Sequence, residues 1–299
     1  MLRSITYIVF ICLSYPVFLQ AVNLNWSAET RLKIENHHND TISTSATASY
    51  FRGRINFDLK SDIYKVYFQL QDSRLLGHQN NLAGQSGLGD TYPTFHQFYG
   101  QVSGLFNGKN KLKFGRFEMP LGKQRIFGRS GWNNYGRSFE GITNTRKTRR
   151  GDILLFHLIN TELYPMNDQF DYIVDGLYGT TTPGIFTGTR EQSIDSDDDG
   201  PIRKPIKLDY YIFNENIVVS AGENTKRRQT LGLRATKKFS RFNIEGEFAY
   251  QTGKYYSDKI EASLFSLNLE VPTGFIPLTE SMSFTKEYIS GDEYELGES

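Results

Sequence analysis

Cysteine, long apolar runs and net charge are all scarce in this chain, and each scarcity excludes something. Cys12 is the single cysteine of 299 residues. It lies in the apolar run "ITYIVFICLSYPVFL", which follows Arg3 and closes on the small residue Ala21, the layout of a secretory signal over residues 1–21. Cleavage leaves residues 22–299 without a thiol, which excludes disulfides, thiolate metal sites and cysteine nucleophiles. A spanning anchor is disfavoured because Ile5 to Leu19 falls short of the ~20 residues a helix needs and Pro16 interrupts it. A lipoprotein signal is disfavoured by bulky Ile11 directly before Cys12. Beyond the leader no apolar stretch reaches spanning length, so integral membrane structure would have to be a β-barrel, the other form that pairs every backbone group in lipid.

The formal net charge is +1, and removing the leader takes away Arg3 and no acid, leaving 33 basic against 33 acidic residues. No contiguous basic patch points to nucleic acid. The five histidines, His37, His38, His78, His96 and His157, fall in no G-x-S-x-G or HExxH context, so no catalytic residue or metal site is assigned and no cofactor is required. "DSDDDG" (Asp195 to Gly200) imitates the start of a calcium loop, but Ile206 stands where the closing glutamate belongs. An acidic tip of a long loop explains it better.

What the chain has in quantity is aromatic residues, 18 Tyr and 22 Phe, spread at a period of two. In "VNLNWSAETRLKIEN", Leu24, Trp26, Ala28, Leu32 and Ile34 share one strand face, with Glu29, Arg31, Lys33 and Glu35 on the other. Phe51, Gly53, Ile55, Phe57 and Leu59 oppose Arg52, Arg54, Asn56, Asp58 and Lys60; Tyr64, Val66, Phe68 and Leu70 oppose Lys65, Tyr67, Gln69 and Gln71. The scheme recurs at Leu112 and Phe114, at Leu231, Leu233 and Ala235, and at Phe242, Ile244, Phe248 and Tyr250. Less regular strands are expected near 94–106, 137–146, 151–160, 169–179, 204–214, 260–271 and 280–290. "KSDI", "NGKN" and "SRF" read as tight turns, and 72–93, 117–136 and 180–203 as long loops, the two kinds gathered at opposite ends as in an outer-membrane barrel. The competing architecture is a soluble β-sandwich or β-solenoid, whose strands also alternate.

The stretch "GRFEMPLGKQRIFGRSGWNNYGRSFEGI" repeats glycine and arginine at short intervals. Its Gly115-Arg116, Gly122, Gln124-Arg125, Gly128, Trp132 and Arg137-Ser138-Phe139-Glu140-Gly141 resemble the alginate export family of outer-membrane porins. So do Thr230-Leu231-Gly232-Leu233-Arg234, Ala249-Tyr250-Gln251-Thr252-Gly253 and "YISGD" (Tyr288 to Asp292). The resemblance implies an all-β, monomeric, antiparallel transmembrane barrel of about 16 to 18 strands in a Gram-negative outer membrane. It also implies an electropositive lumen that passes an acidic polysaccharide, and a periplasmic secretion partner by analogy. Guanidinium groups suit that cargo, because they hold carboxylates bidentately and keep their charge. Passage, as opposed to storage, favours several weak stations. The residues expected to line the pore are Arg31, Lys33, Arg52, Arg54, Arg116, Arg125, Arg129, Arg137 and Arg234.

Strict alternation from Leu112 and Phe114 would aim Arg116 at lipid, which predicts a bulge at Gly115 or exit from the apolar zone there. Trp132 is expected to stack on a sugar face or to join an interfacial girdle. The strand charges have a structural alternative, pairing with Glu29, Asp58, Glu245 and Glu247. The functional alternatives are a general porin without glycan specificity and an exported soluble carbohydrate-binding β-protein. About thirteen strands are expected, an odd number, and the C-terminus "GDEYELGES" lacks a closing aromatic strand, so the barrel is expected to be truncated on its C-terminal side.

Overall fold

The structure, a computed structural model, describes residues 23–39, 44–76, 93–160, 170–183, 205–219, 224–239, 241–273 and 280–291. Thirteen strands follow one another: β1 (Asn23–Asn39), β2 (Thr44–Lys60), β3 (Tyr64–Leu76), β4 (Thr94–Gly104), β5 (Asn110–Phe117), β6 (Phe139–Thr148) and β7 (Gly151–Asn160). Then come β8 (Phe170–Thr181), β9 (Lys207–Val219), β10 (Asn224–Lys238), β11 (Asn243–Tyr255), β12 (Asp258–Pro272) and β13 (Ser281–Ser290). They form one antiparallel sheet in chain order. Among the described residues β1 pairs only with β2, and β13 only with β12. The sole helical element among them is one turn, Leu105–Gly108.

The chain divides into two compact units, one running to Ser103 and including Trp132–Tyr135, the other comprising Gly104–Gly131 and Gly136–Ser299. In the first, β1 pairs with β2 along its whole length, so Trp26 meets Phe57, Ala28 meets Ile55 and Leu32 meets Phe51 on one face, while Arg31 meets Arg52 on the other. Phe57 stacks on its register partner Phe68 at 4.6 Å, and Phe68 meets Phe95 edge-on. Stacked cross-strand aromatics of this kind fix register. Ser61 closes the β2–β3 turn by accepting hydrogen bonds from the N–H groups of Ile63 and Tyr64. The apolar face is bare: Trp26 is 72% exposed, and Leu24, Leu32, Ile34, Phe95 and Phe98 are also exposed. A contiguous apolar surface of this kind needs a non-aqueous neighbour.

In the second unit the same pattern holds on β10–β13, where Leu231, Leu233, Phe248, Phe265 and Tyr288 are exposed while Thr230, Arg234, Glu245, Glu247 and Ser266 are buried on the opposite face. On β5–β9 the expected division into one greasy and one charged face fails. Phe117, Phe139, Phe156, Leu158, Val174 and Phe213 are buried on the face that elsewhere carries charge. The cause is the β5–β6 connection, which covers that face and gives these side chains an apolar partner other than lipid. Alternation weakens wherever both faces of a sheet are covered.

Two further expectations are corrected. The register of β5 against β6 is continuous from Asn110↔Arg146 to Phe117↔Phe139, so there is no bulge at Gly115; register shifts lie instead between β9 and β10, at Asn224/Lys226, and between β3 and β4, at Gln69/Leu70. There the extra residue turns His96 and Gln97 together onto the buried side. The long connection 182–206 does not share an end of the sheet with 118–138. Thr182 donates its N–H to the carbonyl of Arg150, which places it beside the tight β6–β7 turn. In an antiparallel sheet successive connections alternate ends, so the parity of the strand, and not loop length, decides.

Candidate functional site

The β5–β6 connection is the stretch that the sequence singles out, and each unit holds a part of it. Phe117 and Phe139 are directly opposed in register and fully buried, so the connection leaves and re-enters the sheet at adjacent points. Between them Leu121 accepts a hydrogen bond from the Gln124 N–H at 2.8 Å, and the Leu121 N–H donates to Phe127 O at 3.2 Å. Gly122 has φ +55°, and a Cβ there would sit 3.4 Å from the Tyr178 hydroxyl and 3.6 Å from Arg234 Nε. Glycine therefore lets the turn lie directly on the wall in a conformation L-residues resist. Phe127 anchors it, stacked on Phe139 at 4.8 Å and in contact with Phe156 and Phe213 at 5.9 and 5.7 Å. Burying a phenylalanine contributes about 1.5–3 kcal/mol.

That turn delivers Arg125 to three carboxylates. Its Nη1 donates to Glu245 at 3.0 Å and Glu247 at 2.7 Å, and its Nε donates to Glu287 at 2.7 Å. Burial pulls the guanidinium pKa down, but the hydrogen bonds to Glu245, Glu287 and Glu247 outweigh it, and the net direction is up. The carboxylates also serve the wall. Arg234 pairs with Asp209 and reaches Glu245 at 3.2 Å, and the Tyr211 hydroxyl donates to Glu247 at 2.9 Å. Arg228 holds Glu215 with two bonds at 2.5 and 2.8 Å, and Tyr172 donates to the same carboxylate. In this network three guanidiniums, Arg125, Arg228 and Arg234, face five carboxylates.

In the other unit the balance is reversed. Arg31, Lys33, Arg52 and Arg54 share one face with Glu29 and Glu35, and the surplus positive charge is directed at backbone carbonyls. Arg31 donates to Asn133 O at 2.8 Å, Arg52 to the same oxygen at 3.4 Å, Arg54 to Tyr135 O at 3.4 Å, and Lys33 to Trp132 O at 3.5 Å. Gln71 and Ser73 bind Tyr135 O and Asn134 O. Asn134 in turn donates its side-chain amide to Phe51 O and Arg74 O. Four loop residues are thus held by their backbone. Lys33 also pairs with Glu35, and Arg52 and Arg54 pair with Glu29.

The remaining candidates separate clearly. Arg116 lies on the same face as Phe114 and Ile142, opposite Glu140, with Nε bonded to the Ser138 hydroxyl at 3.1 Å; it is not on the charged face with the others. Its polar partners mark the edge of the apolar zone. Arg129 is exposed, 3.7 Å from Glu118, and its carbonyl accepts the Arg137 N–H at 2.7 Å. The side chain of Arg137 is exposed and makes no hydrogen bond or ion pair among the described residues. Trp132 is 75% exposed and belongs to the loop, not to a strand's apolar face. The acidic stretch Asp195 to Gly200 and residues 1–22 lie outside the described residues. Sequence reasoning missed Arg228, although it keeps the even-numbered period of Thr230 and Arg234, and missed the carbonyls of Asn133 to Tyr135, which no side-chain pattern can signal.

A polar face buried under an inserted loop, an apolar face left bare, and antiparallel strands in chain order define the outer-membrane β-barrel porin class. Solved structures agree. The chain aligns with Pseudomonas aeruginosa OccK2 (OpdF) at TM-score 0.55 and 11% identity, covering 91% of this chain and 65% of that one. A BenF-like porin from Pseudomonas fluorescens Pf-5 gives 0.58 and 10%, covering 92% and 69%. Pseudomonas aeruginosa OccK9 (OpdG) gives 0.57 and 10%, covering 91% and 68%. The chain thus spans about two thirds of the length of these porins, and at such identity the likeness concerns fold. No curated protein sequence matches it. The profile of the alginate export family matches residues 22–296, and the chain belongs to that family. Its place is the outer membrane of a Gram-negative bacterium, in contact with lipid, and its family and fold are those of outer-membrane channels.

Proposed function

We propose that residues 22–299, exported by a leader at 1–21, form the wall and constriction of a monomeric channel that passes an anionic polysaccharide or smaller anionic solutes. The observation that carries this reading is the division of labour within the β5–β6 loop. Arg125 is consumed in holding the loop, whereas the guanidiniums of Arg129 and Arg137 stay exposed on it. Exposed guanidiniums on a constricting loop lower the entry barrier for carboxylates without clamping them. Arg31, Lys33, Arg52 and Arg54 add a cationic surface bonded to the loop backbone and to Glu29, Glu35 and Gln71, so their part in conduction is the field they supply and not contact. Arg234 and Arg125 act structurally. Arg116 is withdrawn from the lumen. A periplasmic delivery partner fits an export role.

A second reading, a general porin with a mixed-charge lumen, is favoured by the carboxylate surplus around Arg125, Arg228 and Arg234. Reversal potentials of the full chain in planar bilayers under a salt gradient separate the two. The export reading expects anion selectivity, block by oligouronates, and loss of both in Arg129→Gln with Arg137→Gln. Cation selectivity that the double substitution leaves unchanged would favour the general porin.

A further inference from the structure

We propose that Trp132 is a stacking platform for the rings of an anionic saccharide, and that it is the group by which this protein tells such a sugar from other anions. Trp132 thereby adds the chemistry of the cargo's body to the charge that the channel reading, on which this rests, gives it. Residues 132–135 are firmly held, yet their largest side chain is bare. All four carbonyls accept hydrogen bonds from β1–β3: Trp132 O from Lys33 at 3.5 Å, Asn133 O from Arg31 at 2.8 Å, Asn134 O from Ser73 at 3.2 Å and Tyr135 O from Gln71 at 2.9 Å. The Tyr135 N–H donates to Asn133 Oδ1 at 2.9 Å, and the Tyr135 hydroxyl is bonded to that of Thr94 at 3.3 Å. Asn134 and Tyr135 are buried. Trp132 is the exception: it is 75% exposed, and its indole makes no hydrogen bond or ring contact among the described residues.

Burying an aromatic side chain is among the largest single gains open to a folding chain. A side chain that forgoes it on a backbone so tied down is preorganised for a ligand. The segment lies on the charged face of β1–β3, not on the bare one, which separates Trp132 from the lipid-facing aromatics of a girdle. An indole offers a flat face of negative potential and one N–H donor. Polarised C–H groups fit that face, and one side of a pyranose ring presents them with its hydroxyls and carboxylate spread around the rim. Arg31, Lys33, Arg52 and Arg54 outnumber Glu29 and Glu35 on this face, so the rim charge that suits it is negative. Those cations are bonded to the loop and to the two carboxylates. They supply a field, and the indole supplies the contact. A single ring face holds a sugar weakly and lets the chain move on, as passage requires. A carboxylate without a sugar ring meets the same field and has nothing to stack.

Trp26 and Trp132 are the two tryptophans of the chain, and Trp26 is exposed on the bare face. Trp26→Phe in the full chain therefore leaves Trp132 as the fluorescent reporter. The test titrates this protein in lipid nanodiscs with tetragalacturonate, with end-blocked tetraglutamate, which has the same number of carboxylates and no ring, and with trimesate, a planar aromatic polyanion. Tetragalacturonate is expected to shift the emission and to shield the indole from acrylamide, and the other two to do neither. By calorimetry, Trp132→Ala should weaken tetragalacturonate binding about tenfold, a loss usual for truncating a central aromatic contact, with Trp132→Phe in between. The segment is held through its carbonyls, so the truncation leaves those bonds in place. Equal shielding by tetraglutamate or trimesate overturns the proposal. So does unchanged affinity in Trp132→Ala, and so does quenching of Trp132 by brominated lipid, which would put the indole in the interfacial girdle. None of these readouts needs conduction: sugar binding without anion selectivity counts against the channel reading alone, and anion selectivity without sugar binding counts against this proposal alone.

Discussion

Replacing Arg125 by alanine should release the first half of the β5–β6 loop while leaving the sheet folded. Three hydrogen bonds disappear, two of them to the buried carboxylates of Glu245 and Glu247. Removing one partner of a buried ion pair costs about 3–5 kcal/mol, largely because the other charge is stranded. Here the lower end applies. Glu245 retains Arg234 and Glu247 retains the Tyr211 hydroxyl, while Glu287 is 42% exposed and recovers its solvation from water. At about 3 kcal/mol the opening equilibrium of the turn rises roughly a hundredfold, since each 1.4 kcal/mol is a factor of about ten. Hydrogen exchange reads this directly: the amides of Leu121 and Gln124, bonded to Phe127 O and Leu121 O, report local opening. Faster exchange at those two amides, with unchanged protection on β10 and β11, is the expected pattern. Arg125→Lys should fall between, because one ammonium cannot reproduce the fork that serves three carboxylates. Exchange at Leu121 and Gln124 within threefold of the wild type would refute the idea that Arg125 latches the loop and would leave Phe127 as its sole anchor.

Two further perturbations probe the wall. Gly232→Val places a side chain into the ring of Tyr211, which must move off Glu247; a loss of about 1–3 kcal/mol is expected from urea unfolding, and Tyr211→Ala should suppress part of it if the clash is the cause. Ile55→Lys puts a charge in the middle of the bare face opposite Ala28 and Leu70, and should cost about 2–4 kcal/mol in lipid; a neutral effect would mean that this face meets water.

The carboxylate surplus around the latch matters for how such a channel would behave. Fixed charges of both signs on one face satisfy one another at short range, so selectivity depends on the groups left over. On β8–β13 the guanidiniums are spoken for, and on β1–β3 they are turned toward carbonyls of the loop. Counting arginines along the strands therefore overstates the positive field. Arg129 and Arg137 differ because their side chains stay exposed, whereas the turn holds Arg125 among carboxylates and Phe127 against the wall.

The strands themselves were legible in the sequence because the period-two pattern of Leu24 to Ile34, of Phe51 to Leu59 and of Leu231 to Ala235 has one physical cause, a sheet with unlike solvents on its two sides. Arg116 was legible only in part: strict alternation put it with Phe114, where it stands, while its place among the motif arginines led to its being expected in the lumen. What the sequence could not determine is where alternation would fail and which charges would be occupied. Phe117, Phe139, Phe156 and Phe213 look like lipid contacts until the loop that covers them is placed. Arg125 meets Glu245, Glu247 and Glu287 across separations of 120, 122 and 162 residues. Local pattern is set by nearest neighbours along the chain. The choice of partner for a buried charge is set by which distant strand stands within hydrogen-bond reach, and only the tertiary structure decides that.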